Sequence, residues 1–87
     1  MAGQAGNLHF ILINASRHTI MSLQLSTTNT NQWEENILTN PIRPGDSRMI
    51  RIGIYNCLYD LRIITSDLKE LVEYNLNFCV IESYIVQ

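Results

Sequence analysis

CLYDLRII, residues 57 to 64, is the stretch of sequence that decides the fold. Its alternate positions, which we expect to face inward, are Cys57, Tyr59, Leu61 and Ile63. Alternation of this kind is typical of a β-strand with one face on a hydrophobic core. The opposite face then carries Asp60 and Arg62. The stretch therefore predicts a core strand. It also raises the question of whether its cysteine and charged residues have a catalytic or binding role.

Further stretches alternate in the same way and predict more strands. They are NLHFILIN (7–14), TIMSLQLS (19–26), SRMIRIGIY (47–55), LVEYNLNFC (71–79) and IESYIV (81–86). In the first of them Phe10 and Leu12 lie on one face while Ile11 and Ile13 lie on the other. Both faces of that strand are therefore expected to be at least partly covered.

Three local predictions follow from the same alternation. In the second strand we expect Met21, Leu23 and Leu25 to face inward. In the strand predicted over residues 71–79, the residues expected to face inward are Val72, Tyr74, Leu76 and Phe78. The short link NASRH (14–18) predicts a hairpin between the first two strands. The Asn-Ala-Ser triplet in this link has the form of a glycosylation sequon, but an Asx or Ser turn explains it better.

The segment between the second and third strands predicts a loop, a helical turn and a tight turn. TTNTNQ (27–32) is polar throughout and is expected to be an exposed loop. In NQWEENILTN (31–40), the spacing of Trp33, Ile37 and Leu38 favours one or two turns of helix. Pro44 and Gly45 are the residues that a type II turn requires at its two central positions. A second turn is expected around residues 65–69.

Length and composition favour one small folded unit. The chain has 87 residues, of which 46% are hydrophobic and 16% charged, as in ordinary globular proteins. We predict a single domain over residues 1–87, with 1–6 flexible. The predicted fold is mainly β, a small antiparallel β-sandwich or barrel of six to seven strands with one short helical turn.

Charge and hydropathy narrow the classes of partner and compartment. A net charge of −2 and six scattered Lys and Arg residues argue against nucleic acid as a partner. No apolar run approaches the length of a membrane span, and no signal peptide is visible. The localisation is left open: cytoplasmic for the sequence as it stands, exported or periplasmic if a signal peptide has been removed.

The two cysteines, Cys57 and Cys79, permit a disulfide or two buried thiols, and we leave this choice open. No CxxC spacing accompanies them, and the carboxylates show no calcium-loop spacing, so no metal site and no cofactor is predicted. A catalytic pair of Cys57 with His18 as base is formally possible but has no local motif behind it. We therefore predict no catalytic residues, and we keep a small hydrolase using Cys57 or Asp60 only as the enzyme alternative.

Four residues are candidates for binding: Trp33, Glu34, Asp60 and Arg62. The lone tryptophan, beside a polar loop, is either an exposed anchor for a partner or a cap on one end of the core, and the core is favoured. Asp60 and Arg62 lie two residues apart on one strand face, where an opposite-charge pair needs no chemistry to explain it.

The order of these features resembles a family of small bacterial proteins of unknown function that often carry a twin-arginine (Tat) signal sequence. The matching positions are Phe10, Leu12, Asn14, Trp33, Leu38, Pro44, Gly45, Cys57, Tyr59, Asp60, Leu61 and Cys79. Two features of that pattern are missing, an Asp-Gly hairpin, replaced by SDLKE (66–70), and the export signal. The resemblance implies a small β-sandwich and assigns no catalytic residues.

These observations favour a non-enzymatic module that binds another protein or itself, through an edge strand or the region 27–38. The apolar residues on both faces of FILI (10–13) suggest that one face is covered by another subunit. The alternative is a small ligand- or metal-ion-binding domain in which loop carboxylates meet at one end of the sandwich.

Overall fold

The computed structural model describes residues 8–28, 32–52 and 57–87. Six strands occupy these ranges. They are β1 (Leu8–Asn14), β2 (Ile20–Thr27), β3 (Ser47–Ile52), β4 (Leu58–Thr65), β5 (Glu70–Asn77) and β6 (Ser83–Val86). The predicted flexible start, and parts of the loop 27–32 and of the strand 47–55, lie outside the described residues.

The strands form two three-stranded sheets, in the orders β3-β1-β6 and β2-β4-β5. We call them the β1 sheet and the β4 sheet after their central strands. Buried side chains of both sheets and of the segment between β2 and β3 form one core. The prediction of a mainly β, six-stranded fold is confirmed.

The pairing of the strands differs from the prediction at two places. The hairpin predicted between β1 and β2 is wrong, because β1 pairs with β3 and β6 while β2 pairs with β4. The link between β1 and β2 instead crosses from one sheet to the other. In addition, β6 runs parallel to β1, so the β1 sheet is mixed rather than purely antiparallel.

The helical turn predicted between residues 31 and 40 is also wrong, since the described part of this segment contains no helix. Residues 32–42, which we call the edge segment, run along the outer edge of β2. The N–H groups of Glu34 and Ile37 donate to the carbonyls of Leu25 and Leu23 at 3.0 and 2.9 Å. An edge strand leaves its backbone groups unpaired, and pairing them outweighs a short isolated helix.

A bulge in β2 changes which of its side chains are buried. Ile20 pairs with Thr65 and Ser22 with Ile64, so Met21 has no partner on β4. The extra residue shifts the alternation, and Ile20 is fully buried while Met21 is 44% exposed. The prediction that Met21 faces inward is therefore wrong, whereas Leu23 and Leu25 are buried as predicted.

A second bulge, in β5, places Tyr74 and Asn75 opposite the single residue Asp60. Asn75 has a φ of 59°, in the left-handed region that asparagine tolerates better than most residues. Before the bulge, the inward and outward positions of β5 are exchanged relative to the prediction. Leu71 packs against the core, and Tyr74, predicted to be inward, is 61% exposed. Val72, opposite Arg62, shares its outer face, so its predicted inward position is also wrong.

The predicted turns are present. Asp46 N–H donates to the carbonyl of Arg43 at 3.0 Å, which closes a turn over Pro44 and Gly45. Gly45 has a φ of 87°, the value that the second central position of a type II turn requires. The turn after β4 is closed by Leu68 N–H, which donates to the carbonyl of Thr65.

Asn14, the last residue of β1, connects the loops at this end of the sandwich. Its side chain is fully buried, and Nδ2 donates to the carbonyls of His18 and Ile42 at 2.8 and 2.9 Å. Its Oδ1 accepts from the N–H of Ser16 at 3.0 Å, which forms the predicted Asx turn. Because Nδ2 is buried and donates both of its hydrogen bonds within the protein, these contacts explain the asparagine at the start of the glycosylation sequon.

The main chain of Asn14 extends the same connection to the turn before β3. Asn14 N–H donates to the carbonyl of Asp46 at 2.9 Å, and its own carbonyl accepts from Gly45 N–H at 2.7 Å. The end of β1, the crossing link, the edge segment and the Pro-Gly turn thus meet at one residue.

We expect Asn14→Ala to lower the free energy of unfolding by about 2–4 kcal/mol, because it removes the hydrogen bonds from Nδ2 to the carbonyls of His18 and Ile42 and releases the crossing link. Urea denaturation followed by circular dichroism measures this loss. Asn40→Ala, at an exposed position, is the control and should change stability by less than about 0.5 kcal/mol. A loss in Asn14→Ala no larger than in the control would contradict the role given to this amide.

Candidate functional sites

The structure places three of the four predicted binding residues, Trp33, Asp60 and Arg62, on the outer face of the β4 sheet. Arg62 Cζ lies 6.0 Å from the centre of the Trp33 ring, which is within the range of a cation–π contact. Trp33 is half-buried, so it is neither a fully exposed anchor nor a residue of the central core. Its position follows from the edge segment, which carries it around the edge of β2.

Arg62 and Asp60 do not pair with each other. Arg62 Nε forms an ion pair with the carboxylate of Glu70, on the neighbouring strand. Asp60 is 4% exposed, and its Oδ1 accepts from the N–H of Asn75 at 2.9 Å. The carboxylate of Asp60 therefore accepts a hydrogen bond from a backbone N–H group of the β5 bulge. This contact gives the carboxylate a structural role.

Glu34, the fourth predicted binding residue, contributes main-chain contacts. Its carbonyl accepts from the side chain of Gln24 at 3.0 Å, and its N–H donates to β2. The residue is exposed. Of the predicted set, Trp33 and Arg62 thus contact each other, whereas Asp60 and Glu34 contact other residues of the protein.

Cys57 and Cys79 form a disulfide, with their Cα atoms 5.1 Å apart. Of the two alternatives left open, a disulfide or two buried thiols, the structure contains the disulfide. Phe78 N–H donates to the carbonyl of Cys57 at 2.8 Å, next to the disulfide. The phenyl ring of Phe78 reaches the core, 4.9 Å from the ring of Phe10. The disulfide thus ties the connection between β5 and β6 to the start of β4.

His18 lies away from the cysteines, at the other end of the strands. Its Nε2 is 3.5 Å from Oδ2 of Asp67. The hydroxyl of Ser16 contacts Oδ1 of Asn14 and the carbonyl of His18, rather than its imidazole ring. Because the cysteines are bonded to each other and Ser16 contacts other groups, the structure gives no support to a nucleophile activated by His18.

The turn after β4 carries a small group of charged side chains. Thr65 Oγ1 donates to Asp67 Oδ1, and this hydrogen bond is the main cause that holds the pKa of the Asp67 carboxyl below its usual value. The neighbouring His18 acts in the same direction. Among the described residues, no group of three or more His, Cys, Asp or Glu side chains is arranged to hold a metal ion.

A pocket of about 550 Å³ opens beside this turn, and we call it the end pocket. The link between β1 and β2 forms one wall, with Ala15, Arg17 and His18. Lys69 and Leu71, from the turn and the start of β5, form another. The sequence did not indicate this pocket, because its two walls are distant along the chain and only the crossing of the first link brings them together.

An apolar strip lies on the outer face of the β1 sheet and combines two half-buried with two exposed side chains. It consists of Ile11, Ile13, Met49 and Ile85. Ile11 pairs with Met49 and Ile13 with Ile85 across neighbouring strands. Met49 and Ile85 are each 50% exposed. Alternation in the sequence placed Ile11 and Ile13 on one face, but the contribution of Ile85 depends on the parallel pairing of β6.

The two sheets make a polar contact where β5 faces β6. Glu73 lies on the inner face of β5, and its Oε1 accepts from the hydroxyl of Tyr84 at 3.1 Å. Burial and the neighbouring carboxylate raise the pKa of Tyr84 to about 12. An inward-pointing charge on an exposed edge strand also hinders pairing with another chain.

Taken together, these features define a small disulfide-linked β-sandwich with an exposed apolar face. The chain matches no protein-family model, no curated protein and no solved structure. The resemblance to the Tat-signal family therefore stays a prediction. The described residues include no helix of the length and apolarity needed to cross a membrane.

We expect Glu73→Gln to lower the pKa of Tyr84 from about 12 toward the ordinary tyrosine value of about 10, with burial retaining part of the elevation. Tyrosine ring ¹³Cζ shifts, followed by NMR against pH, measure this change. Because the folded state holds the proton more tightly than the unfolded state, the stabilisation is complete below pH about 10 and is lost as the pH rises through about 12.

Glu82→Gln, which removes an exposed carboxylate just before β6, is the matched control and should leave the titration of Tyr84 unchanged. Equal titration curves for Tyr84 in the wild type and in Glu73→Gln would contradict the contact between the sheets.

Proposed function

We propose that the protein is a non-enzymatic β-sandwich module that associates reversibly through the outer face of the β1 sheet, with a second copy of the chain as its partner. The observation that carries the proposal is the apolar strip. Its side chains come from all three strands of that sheet and present branched or flexible apolar groups to solvent. Contiguous apolar surface of this kind marks interaction sites on small proteins.

The charges beside the strip favour a second copy over an unrelated partner. Arg51, which pairs with His9, lies near one end of β3, and Asp46 immediately precedes the other end. Consider a two-fold axis that lies between two such faces and is perpendicular to the strands. It would place Arg51 of each copy over the end of β3 next to Asp46 in the other copy. An isologous contact of this kind matches apolar with apolar and opposite charges at both ends.

The size of the face indicates that association is weak. Three strands spaced about 4.8 Å apart and about six residues long present about 300 Å² of projected area. Two such faces give about 600 Å², about half of the lower limit of about 1,200 Å² for specific complexes. A reversible dimer with Kd of about 0.1–1 mM is therefore expected rather than a permanent one.

The predicted edge-strand route has less support. The exposed strand β5 carries the bulge at Asn75 and the inward carboxylate of Glu73, and both features hinder the addition of another strand. In the region 27–38, the described backbone is already occupied by pairing with β2. The flat face of the β1 sheet is the better candidate.

We expect Met49→Lys to abolish self-association, because it places a charge in the centre of the apolar strip. Sedimentation equilibrium over a protein concentration series measures the average mass, which should rise above the 10.0 kDa of the monomer for the wild type but not for this variant. Met21→Lys is the matched control, since Met21 is 44% exposed against 50% for Met49 but lies on β2, in the other sheet.

The control should associate like the wild type. Self-association would be refuted if the wild-type mass stayed at 10.0 kDa up to a protein concentration of about 2 mM. An equal effect of the two lysine substitutions would place the contact elsewhere.

A further inference from the structure

The end pocket has the size and the lining of a small-molecule site. Its volume of about 550 Å³ lies within the range of pockets that hold small organic ligands. Ala15, Leu71 and Val86 line it with apolar groups. Charged side chains surround this apolar part, so the pocket combines a surface for a hydrocarbon group with positions for a charged one.

Both acidic side chains that line the pocket, Asp67 and Glu70, already have partners within the protein. Asp67 accepts a hydrogen bond from Thr65 and lies 3.5 Å from His18. Glu70 forms the ion pair with Arg62 on the neighbouring strand. The negative charge of Glu70 is therefore compensated within the protein, and the oxygen atoms of Asp67 already contact Thr65 and His18 before any ligand enters.

The basic side chains that line the pocket are held less firmly. Lys69 is 85% exposed and its Nζ is 4.0 Å from Asp67, which is a weak contact. Arg17 lies in the crossing link, is exposed, and takes part in none of the ion pairs among the described residues. The positive charge that remains available at the rim belongs to these two residues.

We propose that the end pocket binds a small organic carboxylate, with its apolar group against Leu71 and Val86 and its carboxylate between Arg17 and Lys69. The guanidinium group matches the geometry of a carboxylate, and the ammonium group supplies a second, mobile positive charge. The buried amide of Asn14 holds the link that carries Arg17, because Asn14 Nδ2 binds the carbonyl of His18. The site is separate from the apolar strip and does not depend on self-association.

Phenylacetate is a suitable probe because it combines one carboxylate with one ring. We expect it to bind with millimolar affinity and to shift the backbone amide signals of residues 15–18, 65–71 and 86–87 in ¹H–¹⁵N correlation spectra of the full chain. Phenylacetamide, which is neutral, and phenethylamine, which is cationic, have a similar size. Each should shift these signals far less at the same concentration.

Arg17→Glu should weaken phenylacetate binding about tenfold, because it replaces an attraction with a repulsion at the rim. Lys69→Glu should act in the same direction. Arg43→Glu is the matched control, since Arg43 is also exposed but lies on the turn before β3 and does not line the pocket, and it should leave the affinity unchanged. The same spectra show whether each variant is folded.

Three results would overturn the proposal. The first is the absence of shifts at phenylacetate concentrations up to about 20 mM. The second is equal shifting by the amide or the amine, which would leave no role for the carboxylate. The third is an effect of Arg43→Glu as large as that of Arg17→Glu, which would indicate a response to net charge alone.

Discussion

The hydrogen bonds of one buried amide, that of Asn14, determine how the two sheets are joined. β1 ends at this residue, and the chain must then cross to the opposite sheet within five residues, since β2 begins at Ile20. The side chain holds that link through the carbonyl of His18 and holds the edge segment through the carbonyl of Ile42. A buried amide with every hydrogen bond satisfied specifies one arrangement, because each alternative leaves polar groups unpaired.

Both proposed sites depend on this arrangement. If β1 and β2 formed a hairpin, β1 would not lie between β3 and β6, and Ile11 and Ile13 would not join Met49 and Ile85 on one face. The link would also no longer bring Arg17 beside Lys69. The crossing at Asn14 therefore positions the apolar strip and the end pocket, although Asn14 belongs to neither.

The sequence predicted the number and places of the strands well, and their partners poorly. Alternation and turn preferences are local properties, so alternation identified β4 and the residue types identified the Pro-Gly turn. Pairing depends on contacts between distant residues, which is why the parallel partner of β1 was missed. The phase of β5 was wrong before Asn75 because a single bulged residue reverses the alternation, and no local signal marked it.

The predicted binding residues show the same limit. Alternation placed Asp60 and Arg62 on one face correctly, but their partners, Asn75 and Glu70, were set by the register of β5. The helix expected around Trp33 was wrong because the free edge of β2 offered its backbone better partners. Local pattern thus predicts which side chains share a face, whereas the groups that they contact follow from the sheet as a whole.

The most direct test of the proposed interface is a mixture of isotope-labelled and unlabelled protein, in which filtered nuclear Overhauser spectra detect contacts between copies. The two-fold packing of the β1 sheet places β3 over β3 of the other copy and predicts contacts from the Met49 methyl group to Met49, Ile11 or Ile13 of that copy. Contacts between copies that involve Tyr74 or Leu58 of the β4 sheet instead would contradict it.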